Sequence, residues 1–345
     1  MIASIAFRNF KALRNAQIRL ERFNLVIGPN GSGKSSLIES LVRLRTLARL
    51  PLADTPSEHD RQVSGPEVAF RFQPPFDGWE ALMLCASEDR CDLLQAVPLP
   101  TGAGIDDWAG LRTRLLRIRR YEFDHMAMGR PCSGKDGTEL TPNGSNLAAV
   151  LARRRSADPA AYESWKGDVL RALPEYADVT AEVHADGRAI LRLRLDGTDE
   201  EIGADELSQG SLYALALFAL AYDPEPPSVL CVEELDRGLH PRLLRDARDA
   251  LYRLSHPETV GLSREPVQVI ATTHSPYLLD LFRDHPEEVV ISQKDGRAAH
   301  FTRLSDRTDL KELMEGASLG DLWYSGVLGG VPGESNAAPS LESQH

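Results

Sequence analysis

Residues 28–35 read Gly28-Pro29-Asn30-Gly31-Ser32-Gly33-Lys34-Ser35, the spacing GxxxxGK[ST], and Ser36 follows. Glycines at this spacing let backbone N–H groups turn inward around an anion, and a helix beginning at the lysine adds positive potential. The ammonium then reaches terminal phosphates, and the hydroxyl beside it can ligate Mg2+. Asn30, Gly31, Ser32, Gly33, Lys34, Ser35 and Ser36 are therefore candidate phosphate contacts, with Ser35 a candidate metal ligand. A second chemical group stands at 228–234, Ser-Val-Leu-Cys-Val-Glu-Glu, an apolar strand that ends in two carboxylates. In that setting Glu233 can hold Mg2+ through water and Glu234 can polarise an attacking water. By itself the same pattern describes a strand that runs into an acidic loop. Leu207-Ser208-Gln209-Gly210 precedes a strongly apolar segment, and Thr272-Thr273-His274-Ser275-Pro276 closes another apolar strand.

Chemistry of this kind needs rigid elements beneath it. The first residues alternate as a strand, turn near Asn9 and Lys11, resume at Gln17–Leu20 and lead into the apolar run 23–27, which predicts a hairpin and then a buried strand. After Lys34, apolar residues recur at helical spacing until Pro51. Helices are predicted over 145–155 and 159–173, and a hairpin over 178–196 around Asp186-Gly187. The last part alternates strand and helix over 228–232, 241–254, 267–272, 276–283 and 288–292, the rhythm of an α/β fold with a parallel sheet.

The 345 residues carry 39 basic and 51 acidic groups, a net charge of −12, which makes the chain a poor general polyanion binder. The charge is uneven: residues 1–50 hold nine basic groups against two acidic ones, a local charge of +7, which leaves −19 for the rest. A hydrophobic content of 42% excludes disorder of the whole chain. Cys85, Cys91, Cys132 and Cys231 form no zinc spacing and are expected as reduced, mostly buried thiols. The longest apolar run, 211–222, is shorter than the roughly 20 residues that span a bilayer, so a buried helix is expected there. Polar residues interrupt the N-terminal apolar run, and the chain is expected to be cytoplasmic, without membrane contact.

Taken in order, these motifs resemble the ABC-type ATPases. Walker A, an LSxG-type signature, Walker B with an adjoining Glu, a D-loop and a switch His stand in that family's sequence. The opening FRNFKALRNAQIRLERFNLVIGPNGSGKSSLIESL, with EELDRGLHP and THSPYLLD, is similar to the RecF, OLD and SMC-like branch. The similarity covers 1–50 and 200–300, and more loosely RRYEFDH, GSNLAAVLA and DLWYSGVLGG. By this resemblance Ser208 and Gly210 match the signature, Glu234 the catalytic Glu, Asp236 the D-loop Asp and His274 the switch His. Three departures stand out. Glu233 replaces the usual Walker B Asp, Gln209 replaces a common Gly, and only Gln73 offers itself as the Q-loop residue.

The resemblance implies an α/β P-loop NTPase, an ABC ATPase head with a mixed or parallel sheet flanked by helices and an inserted α+β lobe. The core is expected over 1–50 and 200–330, the inserted lobe over 51–199 and a disordered tail over 331–345. ATP and Mg2+ are the implied cofactors. The implied assembly is a head-to-tail homodimer with two ATP, each held between Lys34 and Ser35 of one chain and Ser208 and Gly210 of the other. Glu234 would orient water, His274 would sense the γ-phosphate, and hydrolysis would open the heads. No long heptad array separates Ser35 from Ser208, so long coiled-coil arms are not expected, and no DxD follows His274, so a nuclease would be a separate effector chain. The setting implied is DNA repair or anti-phage defence. A DNA groove lined by Arg43, Arg45, Arg49, Arg112, Arg114, Arg117, Arg119 and Arg120 is one expectation, and a solvated or protein-contacting face is the other. A transporter's cytosolic cassette and a non-hydrolysing ATP-ordered scaffold remain the alternative functions. Trp323 and Tyr324 are read as either a docking patch or core.

Overall fold

Apolar residues on both faces of the strands at 23–27, 229–232 and 268–273 require cover on two sides, and the architecture supplies it. A computed structural model describes residues 1–50, 65–99, 105–296 and 298–329; Pro51 and the expected tail lie outside the described residues. Along the chain, β1 (Ile2–Phe10), β2 (Leu13–Arg19) and β3 (Phe23–Ile27) lead to α1 (Lys34–Leu47). The strands β4 (Glu67–Phe72), β5 (Trp79–Ser87) and β6 (Arg90–Pro98) follow, then α2 (Ile105–Leu115), β7 (Ile118–Tyr121), α3 (His125–Met128) and β8 (Cys132–Ser133). Next come α4 (Leu147–Ala157), α5 (Pro159–Ala172), β9 (Tyr176–Val183), β10 (Arg188–Leu195) and β11 (Glu201–Gly203). The remainder is α6 (Gln209–Ala221), β12 (Val229–Val232), α7 (Pro241–Ser255), β13 (Gln268–Thr273), α8 (Pro276–Asp280), β14 (Val289–Asp295), β15 (Ala298–Arg303), α9 (Leu310–Gly316) and α10 (Leu319–Tyr324).

Three sheets result. The central one runs β15-β14-β3-β13-β12-β7, parallel throughout except for the antiparallel edge strand β15. Successive side chains of its strands point to opposite faces. Phe23, Leu25, Ile27, Leu230, Val232, Val269 and Ala271 pack into one core with α4 to α8, while Val26, Val229, Cys231, Ile270 and Val290 pack into the other with α1 and the second sheet. That second sheet is antiparallel, β2-β1-β4-β5-β6. The third is small, β11-β10-β8 with β9 on β10. Helix α6 is buried on every side, as its all-apolar circumference demands. Among the described residues no helix is long and apolar enough to cross a membrane.

The sheets divide the segment expected as one inserted lobe over 51–199. β4, β5 and β6 extend the N-terminal hairpin, and β7 forms the edge of the central sheet beside β12. Only the stretch with α3 to α5 and β8 to β11 stands as a separate helical and sheet layer. The hairpin's alternating apolar face is what recruits β4 to β6, since Ile5, Phe7, Val68, Phe70, Ala81 and Met83 share one core. A second correction concerns sulfur. Cys85 and Cys91 face each other across the β5–β6 hairpin and form a disulfide, while Cys132 and Cys231 are free thiols. A bridge six residues apart is set by hairpin register, which cysteine spacing alone does not disclose. Trp323 is buried and Tyr324 is 86% exposed, so the aromatic pair divides between core and surface.

Behind the sheet, Glu288 is buried beside Tyr252, whose hydroxyl donates to its Oε2, with His256 Nε2 3.8 Å from Oε1. Burial pushes the Glu288 carboxyl up to about 7, above its ordinary 4.5. The native chain therefore holds this proton more tightly than the unfolded chain, and stability falls as pH rises from the unfolded value through the native one. Glu288→Gln should remove that slope, a gain above pH 7 of up to roughly 3 kcal/mol that vanishes near pH 4. Urea midpoints of both proteins at pH 4.5 and pH 8 check it; equal differences at the two pH values would contradict it.

Candidate nucleotide site

The P-loop joins the C-terminal end of β3 to the start of α1, and the sequence makes that corner tight. Gly33 caps the helix with φ 99°, and no side chain occupies the cap, so the first N–H groups of α1 remain directed outward. A Cβ at Gly33 would lie 2.7 Å from Leu13 Cδ2, and one at Gly28 would lie 2.3 Å from the Ser292 carbonyl. The β1–β2 turn is clamped onto α1 by Lys11, which pairs with Glu39, and by Phe10, whose ring lies under the guanidinium of Arg43. Together these contacts hold the loop open over a cleft of about 170 Å³ lined by Asn30, Gly31, Gly33, Lys34, Ser35 and Ser36 on one side. Ala12 stands at its rim, and Glu233, Glu234, Thr272 and His274 line the other side.

Lys34 lies under the loop, its Nζ donating to the Gly28 carbonyl at 2.7 Å and the Pro29 carbonyl at 3.0 Å. Burial draws its ammonium down to about 8, against the opposing pull of Glu234, Asp236 and Glu233. Ser35 Oγ donates to Glu233 Oε2 at 3.1 Å, so the hydroxyl of the P-loop and the first carboxylate of the β12 strand meet directly. Glu234 adopts φ 50°, a left-handed conformation that costs a non-glycine residue energy. Its N–H donates to Thr272 Oγ1 at 2.9 Å, and the next N–H, of Leu235, donates to the Thr272 carbonyl at 2.9 Å. Thr272 thus fixes the turn that aims the second carboxylate into the cleft. Asp236 accepts from Thr273 Oγ1 at 2.6 Å and from the His274 N–H at 3.4 Å, which ties the turn after β12 to the end of β13. Burial and the nearby Lys34 hold His274 below the usual histidine range, leaving a neutral ring at pH 7.

The donor set fits Mg2+ and a nucleotide's phosphates. Ser32 Oγ is buried without a hydrogen-bond partner, the helix start is uncapped, and a cation and two carboxylates face each other across the cleft. Ser35 with Glu233 would hold the metal. Ser208 and Gly210 lie outside this cleft. Ser208 caps α6, accepting from the Ser211 N–H at 3.0 Å, and is exposed, while a Cβ at Gly210 would meet the Gly238 carbonyl at 2.6 Å.

Two family models match the chain, "AAA domain, putative AbiEii toxin, Type IV TA system" over residues 140–280 and "AAA ATPase domain" over residues 1–61. The second spans the P-loop and the first spans the signature, both carboxylates and His274. Both segments thus match AAA ATPase models, and the chain has the fold of an SMC head. That fold is shared with an SMC head bound to the C-terminal winged-helix domain of ScpA, at 14% identity and TM-score 0.58, covering 90% of this chain and 99% of that one. It is shared too with an SMC head from Pyrococcus furiosus bound to the C-terminal domain of ScpA, at 12% identity and TM-score 0.57, covering 91% and 99%. Comparison with curated proteins gives no match.

Within this fold the candidate Q-loop residue is misplaced. Gln73 donates its N–H to the Met1 carbonyl, and the neighbouring Ile2 binds Gln268 at the start of β13, the end of the sheet opposite the cleft. The arginines expected as a groove are largely engaged. Arg112 and Arg114 lie on α2, Arg112 donating to the Ala48 carbonyl and Arg114 pairing with Glu265. Arg43 pairs with Glu39, Arg117 donates to the Pro226 carbonyl, Arg119 pairs with Glu139, and Arg120 pairs with Glu122 and Glu233. Sequence reasoning missed two residues of the site. Thr272 was visible in the Thr-Thr-His motif, but its hydroxyl contact was not. Arg120 carried no signal, because its approach to Glu233 depends on strand order.

Proposed function

We propose that this chain binds ATP with Mg2+ in the cleft and hydrolyses it, as one half of a head-to-tail homodimer that controls a separate effector protein. The observation that carries the reading is the convergence of Lys34, Ser35, Glu233, Glu234, Thr272 and His274 on one cleft from three strand ends. The P-loop N–H groups and Lys34 bind the phosphates, and Glu234 orients water and accepts its proton. The neutral His274 at the rim donates to the γ-phosphate. Mg2+, when bound by Ser35 and through Glu233, supplies neutralisation of the terminal phosphate charge.

Ser208 and Gly210 are exposed or packed on Gly238, away from the chain's own cleft, so they meet a phosphate only in a second copy. The Asp236 link between the turn that carries the two carboxylates and the backbone at His274 supports a D-loop role for that turn and coupling between hydrolysis and opening. The matched SMC heads are bound to domains of a partner protein, which supports the use of such a head as a docking platform. The family description naming a toxin of a type IV toxin–antitoxin system favours a defence setting over DNA repair. Because six of the eight arginines are engaged within the chain, DNA contact is no part of this proposal.

The test is ATP turnover with Mg2+ as a function of protein concentration. Specific activity should rise with concentration and level off once the dimer is populated, with a larger species appearing by light scattering. Full specific activity in a monomer at high dilution would overturn the dimeric site.

A further inference from the structure

Glu233 carries one methylene more than the aspartate usual at this position, and its surroundings take up the extra length. Arg120 on β7 pairs in register with Cys231 of β12, and the ladder continues as the Glu233 N–H donates to the Tyr121 carbonyl at 3.0 Å. Arg120 Nε thereby comes within 2.5 Å of Glu233 Oε1, while Glu233 Oε2 accepts from Ser35 Oγ at 3.1 Å. The Nε–H finds no aligned acceptor, so this contact is a charge pair rather than a hydrogen bond. On its other side the same guanidinium donates through Nη2 to Glu122 Oε2 at 2.6 Å. Glu233 is 12% exposed at its side chain, so solvent screens the pair weakly.

We propose that Arg120 is a positioning residue for the metal carboxylate, fixing Oε1 of Glu233 so that Oε2 alone is presented to Ser35 and the cation. The proposal rests on the assignment of Glu233 to Mg2+ made above. A glutamate has an additional torsion beyond aspartate, and an untethered carboxylate at this strand end would sample positions that do not face Ser35. The planar fork of arginine serves two carboxylates at once, Glu122 anchoring it from behind and Glu233 receiving it in front, which a lysine ammonium does less well. The division of labour between the two oxygens means that the cation need not displace Arg120. Arg120 acts as an outer-shell partner that shapes the ligand instead of competing for it.

The test uses the full chain and a fluorescent ATP analogue, whose dissociation constant is measured with Mg2+ and with EDTA. The ratio of the two is the metal-dependent gain, and thermal melts establish which variants fold. Glu233→Gln should abolish the gain. Arg120→Gln should cut it by about 10–100-fold, the usual effect of removing an outer-shell partner, with binding in EDTA nearly unchanged. Added to Glu233→Asp, whose shorter carboxylate falls out of reach of Arg120, Arg120→Gln should cost about twofold or less. Arg120→Lys keeps the charge without the fork, and its gain should lie between those of the native chain and Glu233→Gln. A gain at or above the native one in whichever Arg120 variant folds overturns the proposal; a higher gain would identify Arg120 as a competing cation. A gain lost in Glu233→Gln but kept in Arg120→Gln removes this proposal alone. A native chain without any gain, or a Glu233→Gln chain that keeps it, removes the assignment of Glu233 and the proposal with it.

Discussion

Glu234→Gln should bind ATP with nearly native affinity and hydrolyse it about 10²–10⁴-fold more slowly, the range expected for loss of a general base. The amide keeps the shape of the carboxylate but cannot take a proton from water. Its backbone should hold, because the φ of 50° at this position is imposed by the Thr272 hydroxyl and carbonyl rather than by the side chain. Among the described residues the only ion pair lost is the loose one with Arg237 at 3.7 Å, across a half-exposed surface, which contributes little to stability. In the proposed dimer ATP bridges the two copies, and because it is no longer consumed the variant should accumulate as a dimer on a sizing column run with ATP and Mg2+. Native turnover in Glu234→Gln would remove Glu234 from catalysis.

Lys34→Ala should lose ATP binding by about 10–150-fold, the equivalent of about 1.5–3 kcal/mol for hydrogen bonds to a charged partner. Two effects act together. The ammonium no longer meets the phosphates, and the P-loop loses the two carbonyl contacts, to Gly28 and Pro29, that the same ammonium supplies from within. Its buried position means that alanine leaves a space beneath the loop rather than a clean truncation at the surface. Calorimetric titration with ATP reads the loss. Native affinity would show that the cleft is not the phosphate site.

How much of this was legible in the sequence depends on what kind of contact is asked for. Local chemistry was fully readable. Gly33 and Lys34 announce a turn and a helix start, and both carboxylates follow an apolar strand, so the P-loop, Glu233 and Glu234 emerge where expected. The hairpins over 1–20 and 176–195 and the helices over 147–172 were set by alternation, helical spacing and the Asp186-Gly187 turn. What failed was everything that depends on strand order. Gln73 follows a strand, as a Q-loop residue would, but β4 belongs to the antiparallel sheet and carries it to the wrong end of the molecule. Arg120 read as one of a basic run, yet β7 enters the central sheet beside β12 and brings its guanidinium onto Glu233. The Cys85–Cys91 pairing likewise follows from hairpin register. No periodicity in a single chain records which strand lies next to which.

The composite site in two copies can be tested by mixing. Lys34→Ala disables the P-loop half, and Ser208→Glu disables the signature half by presenting a negative charge where a phosphate should be met. The second change loses the Ser208 cap on the Ser211 N–H, about 1 kcal/mol, but keeps the fold, since Ser208 is exposed and a negative charge suits the start of α6. Each variant alone should be inactive with ATP and Mg2+. A one-to-one mixture should regain about a quarter of native specific activity, because half of the dimers are mixed and each of these holds one intact site of two. An inactive mixture in which mixed dimers are demonstrably present, or a Ser208→Glu chain that is active alone, would contradict a site shared between two copies.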